Sequence, residues 1–343
     1  MSLDSPTSLI VASMCAFVTS LLALRALSPL ATRIGLLDRP NGRKQHVGLV
    51  PMTGGLAIAA GWLVSFLVYQ QFTTNNNTGR YILIGSMLML IIGIINDRRN
   101  VPWRTRLIAQ IIVALIIIEL TGLRIHHVLG FDLTSVRGIS LGFTVLAIIG
   151  LTNAFNLIDG IDGLTGSITL ITIANIFAFS TQIIPLAESA QFFLIAGSIF
   201  PYLYLNVLGS PKNKVFLGDS GSYMLGFMIS ISLINFAQGS LPTLSTSSVL
   251  WCAALPILDT IGVMLYRLRK GRSPFQPDRL HLHHVLLEKG MSSQIALAWL
   301  IGIATILSIV GLLIELHLPN LSAPLFLVVL LLYATTIRRR LNP

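Results

Sequence analysis

The chain has 343 residues, of which 54% are hydrophobic and only 10% charged, against about 25% charged in an ordinary soluble domain. Its 23 basic and 13 acidic side chains are too few to coat a water-soluble body of this size, and the same composition excludes a disordered chain, a collagen-like repeat and a disulfide scaffold. The net charge of +10 is accounted for by the positive-inside rule, so no nucleic-acid partner is expected.

A bilayer crossing takes about 20 apolar residues. Apolar runs recur at 8–28, 53–72, 81–96, 106–122, 140–157, 163–181, 190–207, 220–236, 247–267, 295–315 and 321–337. They predict an all-α polytopic integral membrane protein of about eleven transmembrane helices, with residues 1–343 forming a single membrane-embedded domain. The opening MSLDSPTSLI has no basic segment ahead of its apolar stretch, so 8–28 reads as a retained span and not a signal peptide. Cys15 and Cys252 lie inside apolar runs and do not suggest a disulfide or a metal pair.

Orientation follows from the basic residues. One set of loops holds Arg33, Arg39, Arg43, Lys44, Arg98, Arg99, Arg104, Arg106, Lys212, Lys214, Arg267, Arg269, Lys270, Arg272, Arg279, Lys289 and Arg338 to Arg340, 19 in all. The alternate loops hold 3, Arg80, Arg124 and Arg137. This bias predicts an outside N-terminus and a cytoplasmic C-terminus. The unusual polar motifs, at 38–55, 96–106, 153–163, 212–222 and 267–284, all fall on the predicted cytoplasmic side.

Taken in chain order, the first motif runs from Pro40 to Gly55, with Arg43, Lys44, His46 and the pair Gly54-Gly55 at a span entrance. It suits an anion, although a topogenic basic loop explains its charges equally well. Asn96-Asp97-Arg98-Arg99-Asn100 ends a span, where Asp97 beside two arginines also reads as a plain juxtamembrane ion pair. Asn153-Ala-Phe-Asn156-Leu157-Ile-Asp159-Gly-Ile-Asp162-Gly163 places two amides and two acids at the junction of two apolar runs. Carboxylates next to hydrocarbon face a cavity or bind something, and a three-residue spacing on a helical turn turns Asp159 and Asp162 to one side; the plain alternative is a hydrated turn with a helix cap. Val215-Phe-Leu-Gly-Asp219-Ser-Gly-Ser222 opens a span; Asp219 is either a helix cap or, with Lys212 and Lys214 upstream, part of a phosphate site. Asp278-Arg279-Leu-His281-Leu-His283-His284 has poor spacing for zinc and suits phosphate donors.

Together, Asp97, Asp159, Asp162 and Asp219 offer hard oxygen ligands, which suit Mg²⁺ held jointly with substrate phosphates. Lys44, Arg104, Arg106, Lys214, Arg279 and the histidines can neutralise phosphate oxygens. The combination describes phosphoryl transfer better than transport. A transport path calls for acids at mid-membrane depth, where only Glu119 and Asp259 fit. No P-loop and no H-E-x-x-H sequence is present.

The four segments 40–55, 153–163, 215–222 and 273–284 resemble the polyprenyl-phosphate N-acetylhexosamine-1-phosphate transferases over almost the whole chain, and within them the branch that joins GlcNAc-1-phosphate to undecaprenyl phosphate. The resemblance implies Mg²⁺, replaceable by Mn²⁺, with Asp219 as metal ligand and Asp97, Asp159 and Asp162 as catalytic residues. It implies that Lys44, His46, Arg104, Arg106, Asn153, Asn156, Leu157, Lys214, Arg279, His281, His283 and His284 bind substrate. It further implies a UDP-N-acetylhexosamine donor, an undecaprenyl phosphate acceptor, release of UMP, contact with membrane lipids, a bacterial inner-membrane location with a cytoplasmic active site, and a role in cell-wall or O-antigen glycan synthesis; a homodimer is compatible with it. The chain departs from the family at Asn96 and Asn100, where acids are usual. The competing readings are a non-catalytic relative, a transferase for another UDP-N-acetyl sugar, and a transporter.

Overall fold

The apolar runs of the sequence are helices. A computed structural model describes residues 6–38, 48–71, 77–128, 130–134, 137–210, 212–240, 242–274 and 279–341. Its helices are α1 Pro6–Ile34, α2 Gly54–Gln70, α3 Asn77–Arg99, α4 Trp103–Thr121, α5 Arg137–Ile158, α6 Leu164–Phe179, α7 Leu186–Leu203 with a π-helical turn at Tyr204–Leu208, α8 Gly218–Gln238, α9 Thr246–Cys252, α10 Ala254–Arg269, α11 Leu282–Glu288, α12 Ser293–His317 and α13 Pro319–Leu341. Two small antiparallel pairs complete the secondary structure: β1 Leu37–Asp38 with β2 Val50–Pro51, and β3 His127–Val128 with β4 Phe131–Asp132.

Among the described residues six helices are long and apolar enough to cross a membrane: α1, α3, α5, α7 with its π turn, α8 and α12. The pair α9–α10 makes a seventh if its 87° bend lies within one span, while α2, α6 and Pro319–Thr335 of α13 are shorter apolar helices. The protein is therefore all-α and polytopic, and the predicted runs map onto helices of unequal length.

The chain divides into two compact units, one formed by 1–122 and 183–228 and the other by 123–182 and 229–343. In the first, α1, α2 and α7 pack through small residues. A Cβ on Gly61 would lie 2.6 Å from Ser198 Oγ and 2.7 Å from the Ala16 carbonyl, and Ser20 Oγ donates to the Ser198 carbonyl at 2.8 Å. Small residues allow this close approach, which replaces the hydrophobic drive that lipid does not provide.

In the second unit, Trp251 anchors the packing. Its ring meets Phe326 edge-on at 5.1 Å, its Nε1 donates to Ser322 Oγ at 3.0 Å, and Gly311 leaves room for it. The sequence predicts one run over 247–267, but the helix breaks at Ala253. Pro256 has no N–H to give the Cys252 carbonyl. Asn175 Nδ2, from α6, donates to that carbonyl at 3.0 Å and also approaches Ser308 Oγ at 2.7 Å. Asn175→Leu therefore strands a buried carbonyl. The expected cost is about 1–3 kcal/mol, read as a lower thermal unfolding midpoint in detergent.

Candidate active site

In the first unit the chemistry-bearing residues meet where α3 ends and α8 begins. Gly218 opens α8 with φ +74°, a conformation that L side chains rarely adopt, and a Cβ there would meet Asp97 Oδ2 at 2.7 Å. Asp97 accepts the Asp219 backbone N–H on Oδ1 at 2.9 Å and that of Ser220 on Oδ2 at 3.1 Å. A carboxylate from α3 thus caps α8, satisfying orphan N–H groups and complementing the helix dipole. Asp219 lies in the first turn instead of capping the helix itself. Gly93 makes the approach feasible, since a Cβ there would lie 2.2 Å from Ser220 Cα.

Asp219 Oδ2 accepts a hydrogen bond from Asn96 Nδ2, while Asn96 Oδ1 accepts the Val101 N–H at 2.9 Å. Arg106 Nη1 lies 3.6 Å from Asp219 Oδ2 and donates to Tyr223 Oη at 3.0 Å. The Asp219 and Arg106 side chains remain 31% and 27% exposed, so both can meet a ligand. Among the described residues Arg106 Nε is buried without a hydrogen-bond partner.

The paired glycines expected to serve an anion have a packing role here. The N–H groups of Gly54 and Gly55 donate to the carbonyls of Phe216 and Leu217 at 2.9 and 3.0 Å, and a Cβ on Gly55 would meet Gly221 N at 2.4 Å. They tie the entrance of α2 to the start of α8. Of the other predicted residues in this unit, Arg104 is exposed over the Trp103 ring at 5.5 Å and Lys214 lies over Phe216 at 5.7 Å. Lys44 and His46 lie outside the described residues.

In the second unit the segment 153–163 meets the histidines of 281–284. Helix α5 stops at Ile158 and α6 starts at Leu164, so Asp159 and Asp162 stand in an irregular turn and not on the helical turn that the sequence suggests. Gly163, with φ +74°, ends that turn. Asp159, Asp162 and Asn156 are half-buried and Leu157 is 37% exposed, while Asn153 Nδ2 donates back to the Ile149 carbonyl at 2.9 Å. A Cβ on Gly160 would lie 2.0 Å from His283 Nε2, so the ring packs against the glycine between the two acids. His283 and His284 are in ring contact at 4.1 Å. Arg279 is exposed.

Three participants were given no part in the transferase reading of the sequence. Tyr223 sits one helical turn after Asp219, and that spacing was its signal. Asp259 is an acid inside an apolar run, which is a signal in itself; its carboxylate is 2% exposed and engages His281 and Tyr333. Asn96 stood out only as a departure, and its donor role needed the fold.

The similarity to known proteins runs along the whole of this framework. Residues 80–237, from α3 to the end of α8, match the family described as Glycosyl transferase family 4. The chain is 32% identical over 94% of its length to an undecaprenyl-phosphate alpha-N-acetylglucosaminyl 1-phosphate transferase of Yersinia pestis, covering 90% of that protein. Proteins of the same description are 33% identical in Escherichia coli O157:H7, over 90% of this chain and 85% of theirs, and 36% identical in Haemophilus influenzae, over 89% and 86%. The chain belongs to the polyprenyl-phosphate N-acetylhexosamine-1-phosphate transferases.

Within this family member, burial pushes the His283 imidazole down to about 3, with the adjacent His284 adding to the shift. His284 is lowered too, first by burial and then by His281. His283 is thus neutral in the folded protein, whereas the unfolded chain takes up its proton below about 6.5. The unfolded state then binds more protons, so folding stability falls as pH drops from 6.5 toward 3. His283→Gln should flatten that part of the dependence of the unfolding midpoint on pH; an unchanged acid limb would contradict the assignment.

Proposed function

We propose that the chain transfers N-acetylglucosamine-1-phosphate from UDP-N-acetylglucosamine to undecaprenyl phosphate and releases UMP, as a first step of lipid-linked glycan synthesis. The observation that carries this reading is the grouping of Asp97, Asp219, Asn96 and Arg106 at the start of α8, in a chain related end to end to transferases of that description. The apolar segments serve as about eleven membrane crossings or partial crossings, with an outside N-terminus and a cytoplasmic C-terminus on the 19-to-3 basic bias. The active site faces the cytoplasm of a bacterial inner membrane. A homodimer is compatible with this reading.

The donor set fits a divalent ion. Asp219 presents a partly exposed carboxylate, and among the described residues no three His, Cys, Asp or Glu side chains are arranged so that they alone could hold a metal ion. A hard cation here would complete its shell with substrate phosphates and water, the habit of Mg²⁺, with Mn²⁺ as a substitute. When bound, it supplies Lewis-acid neutralisation of charge on the pyrophosphate.

The remaining work belongs to the chain's own side chains. Asp97 sets the position of Asp219 through the helix start. Asn96 holds Asp219 Oδ2, and Arg106, itself held by Tyr223, faces phosphate oxygens with Arg104, Lys214, Lys44 and His46. Asn153, Asn156 and Leu157 border the uridine, Asp159 and Asp162 orient the nucleotide, and Arg279 with the three histidines binds the sugar-phosphate end. An oxygen of the prenyl phosphate attacks the β-phosphorus of the UDP-sugar, and the bond to the UMP oxygen breaks. The nucleophile is largely ionised near pH 7, its second pKa being about 6 by analogy with phosphorylated side chains, so it attacks without a strong base.

The test is UMP release from UDP-N-acetylglucosamine and undecaprenyl phosphate in detergent, with and without Mg²⁺. Asp219→Ala should reduce turnover by roughly 10³-fold or more; full turnover in that variant would defeat the reading. Asn96→Asp exchanges a donor for a carboxylate beside Asp97 and Asp219. It should lower the unfolding midpoint without Mg²⁺ and enlarge the gain in midpoint on adding Mg²⁺.

A further inference from the structure

The second unit contains a buried carboxylate that the reaction above does not use. Asp259, in α10, is 2% exposed and engages three groups on two segments, the start of α11 and α13. His281 Nδ1 lies 2.8 Å from Oδ2, the Leu282 N–H donates to Oδ1 at 3.0 Å, and Tyr333 Oη, from α13, donates to Oδ1 at 2.6 Å. A buried ion pair is a poor source of stability compared with apolar packing of the same volume. Capping α11 would need only the Leu282 contact.

The arrangement is explained by what it leaves over. A carboxylate on Nδ1 requires the proton there in either charge state of the ring, so Nε2 becomes the ring's working nitrogen. Among the described residues His281 Nε2 is buried with no hydrogen-bond partner, and His283 Nε2 is in the same condition. The two rings are parallel within 4°, with centroids 6.1 Å apart. His283 packs on Gly160, in the turn that carries Asp159 and Asp162. An unpaired buried polar nitrogen costs about 1–3 kcal/mol, a cost that a bound oxygen would remove.

The geometry points to Asp259 as a positioning residue: its carboxylate, braced by Tyr333, fixes the tautomer and orientation of His281 so that Nε2 is presented to a phosphate oxygen of the nucleotide sugar. This rests on the transferase reading for the identity of the ligand, and on the structure alone for the pairing. Donation from Nε2 to a phosphate oxygen uses the ring's second N–H, which an imidazole carries when both of its nitrogens are donors.

The test combines ¹⁵N-histidine NMR of the full chain in detergent with steady-state kinetics. In the wild type, His281 should show a protonated Nδ1, and UDP-N-acetylglucosamine should shift its Nε2 resonance. Asp259→Asn keeps the shape but removes the charge; it should change the tautomer signature and lower kcat by roughly 10²-fold. In a His281→Ala background the same substitution should change kcat less than about 2-fold, because the two act as one unit. An equal loss in both backgrounds, or a His281 signature indifferent to Asp259→Asn, would overturn the inference. Should Asp259→Asn not fold, Tyr333→Phe takes its place in the cycle: a loss confined to the His281-containing background supports the inference and an equal loss refutes it. A wild type without turnover, whose His281 signal still responds to Asp259→Asn, would overturn the transferase reading and uphold the pairing.

Discussion

One carboxylate organises the first unit. By accepting the N–H groups of both Asp219 and Ser220, Asp97 fixes the start of α8 to the end of α3. A helix start has free N–H groups that must find partners, and in a membrane protein few waters are at hand to supply them. Meeting that demand with a side chain from another helix sets where Asp219 can be. The glycines at 54, 55, 93 and 218 follow from it, since each lies where a Cβ would collide with the elements being drawn together. Asp219 is thus placed by backbone hydrogen bonding at the helix start.

The second unit solves a related problem with the opposite electrostatics. His281 and His283 are buried, and His283 is held neutral by that burial. Asp259 is the compensating anion, and it engages His281 alone among the three. Chemically similar side chains within four residues therefore have different states: one carboxylate-bound, one neutral against Gly160, one half-exposed. A cluster read from sequence as a set of equivalent donors is in fact differentiated by depth.

The extent to which the sequence disclosed this follows from the range of each interaction. Hydropathy is a sum over consecutive residues, so every predicted apolar run is helical, and the family resemblance was legible from motifs that are local. The break at Ala253 was partly visible in Pro256, but its stabilisation by Asn175 was not, because the partner lies far off in sequence. The sequence spacing places Asp159 and Asp162 on a helical turn, whereas the structure places them in an irregular turn; Gly160 and Gly163 favour a turn over continued helix. Asp219 was left open between cap and ligand. The structure gives the cap to Asp97, a contact across 122 residues that no local pattern encodes.

Asn96 shows how a departure from a family pattern can be compatible with the family's chemistry. A third acid beside Asp97 and Asp219 would add charge repulsion that only a cation could offset. The amide at 96 instead donates to Asp219 and accepts from the Val101 N–H, so it holds Asp219 and the turn into α4 with no charge of its own. Arg106 then stands as the nearby positive partner of Asp219. The arrangement leaves the Asp219 carboxylate partly exposed without adding a third negative charge beside it. Because a prenyl phosphate is already an anion near neutral pH, losing an acid at position 96 removes no proton acceptor that the attack requires.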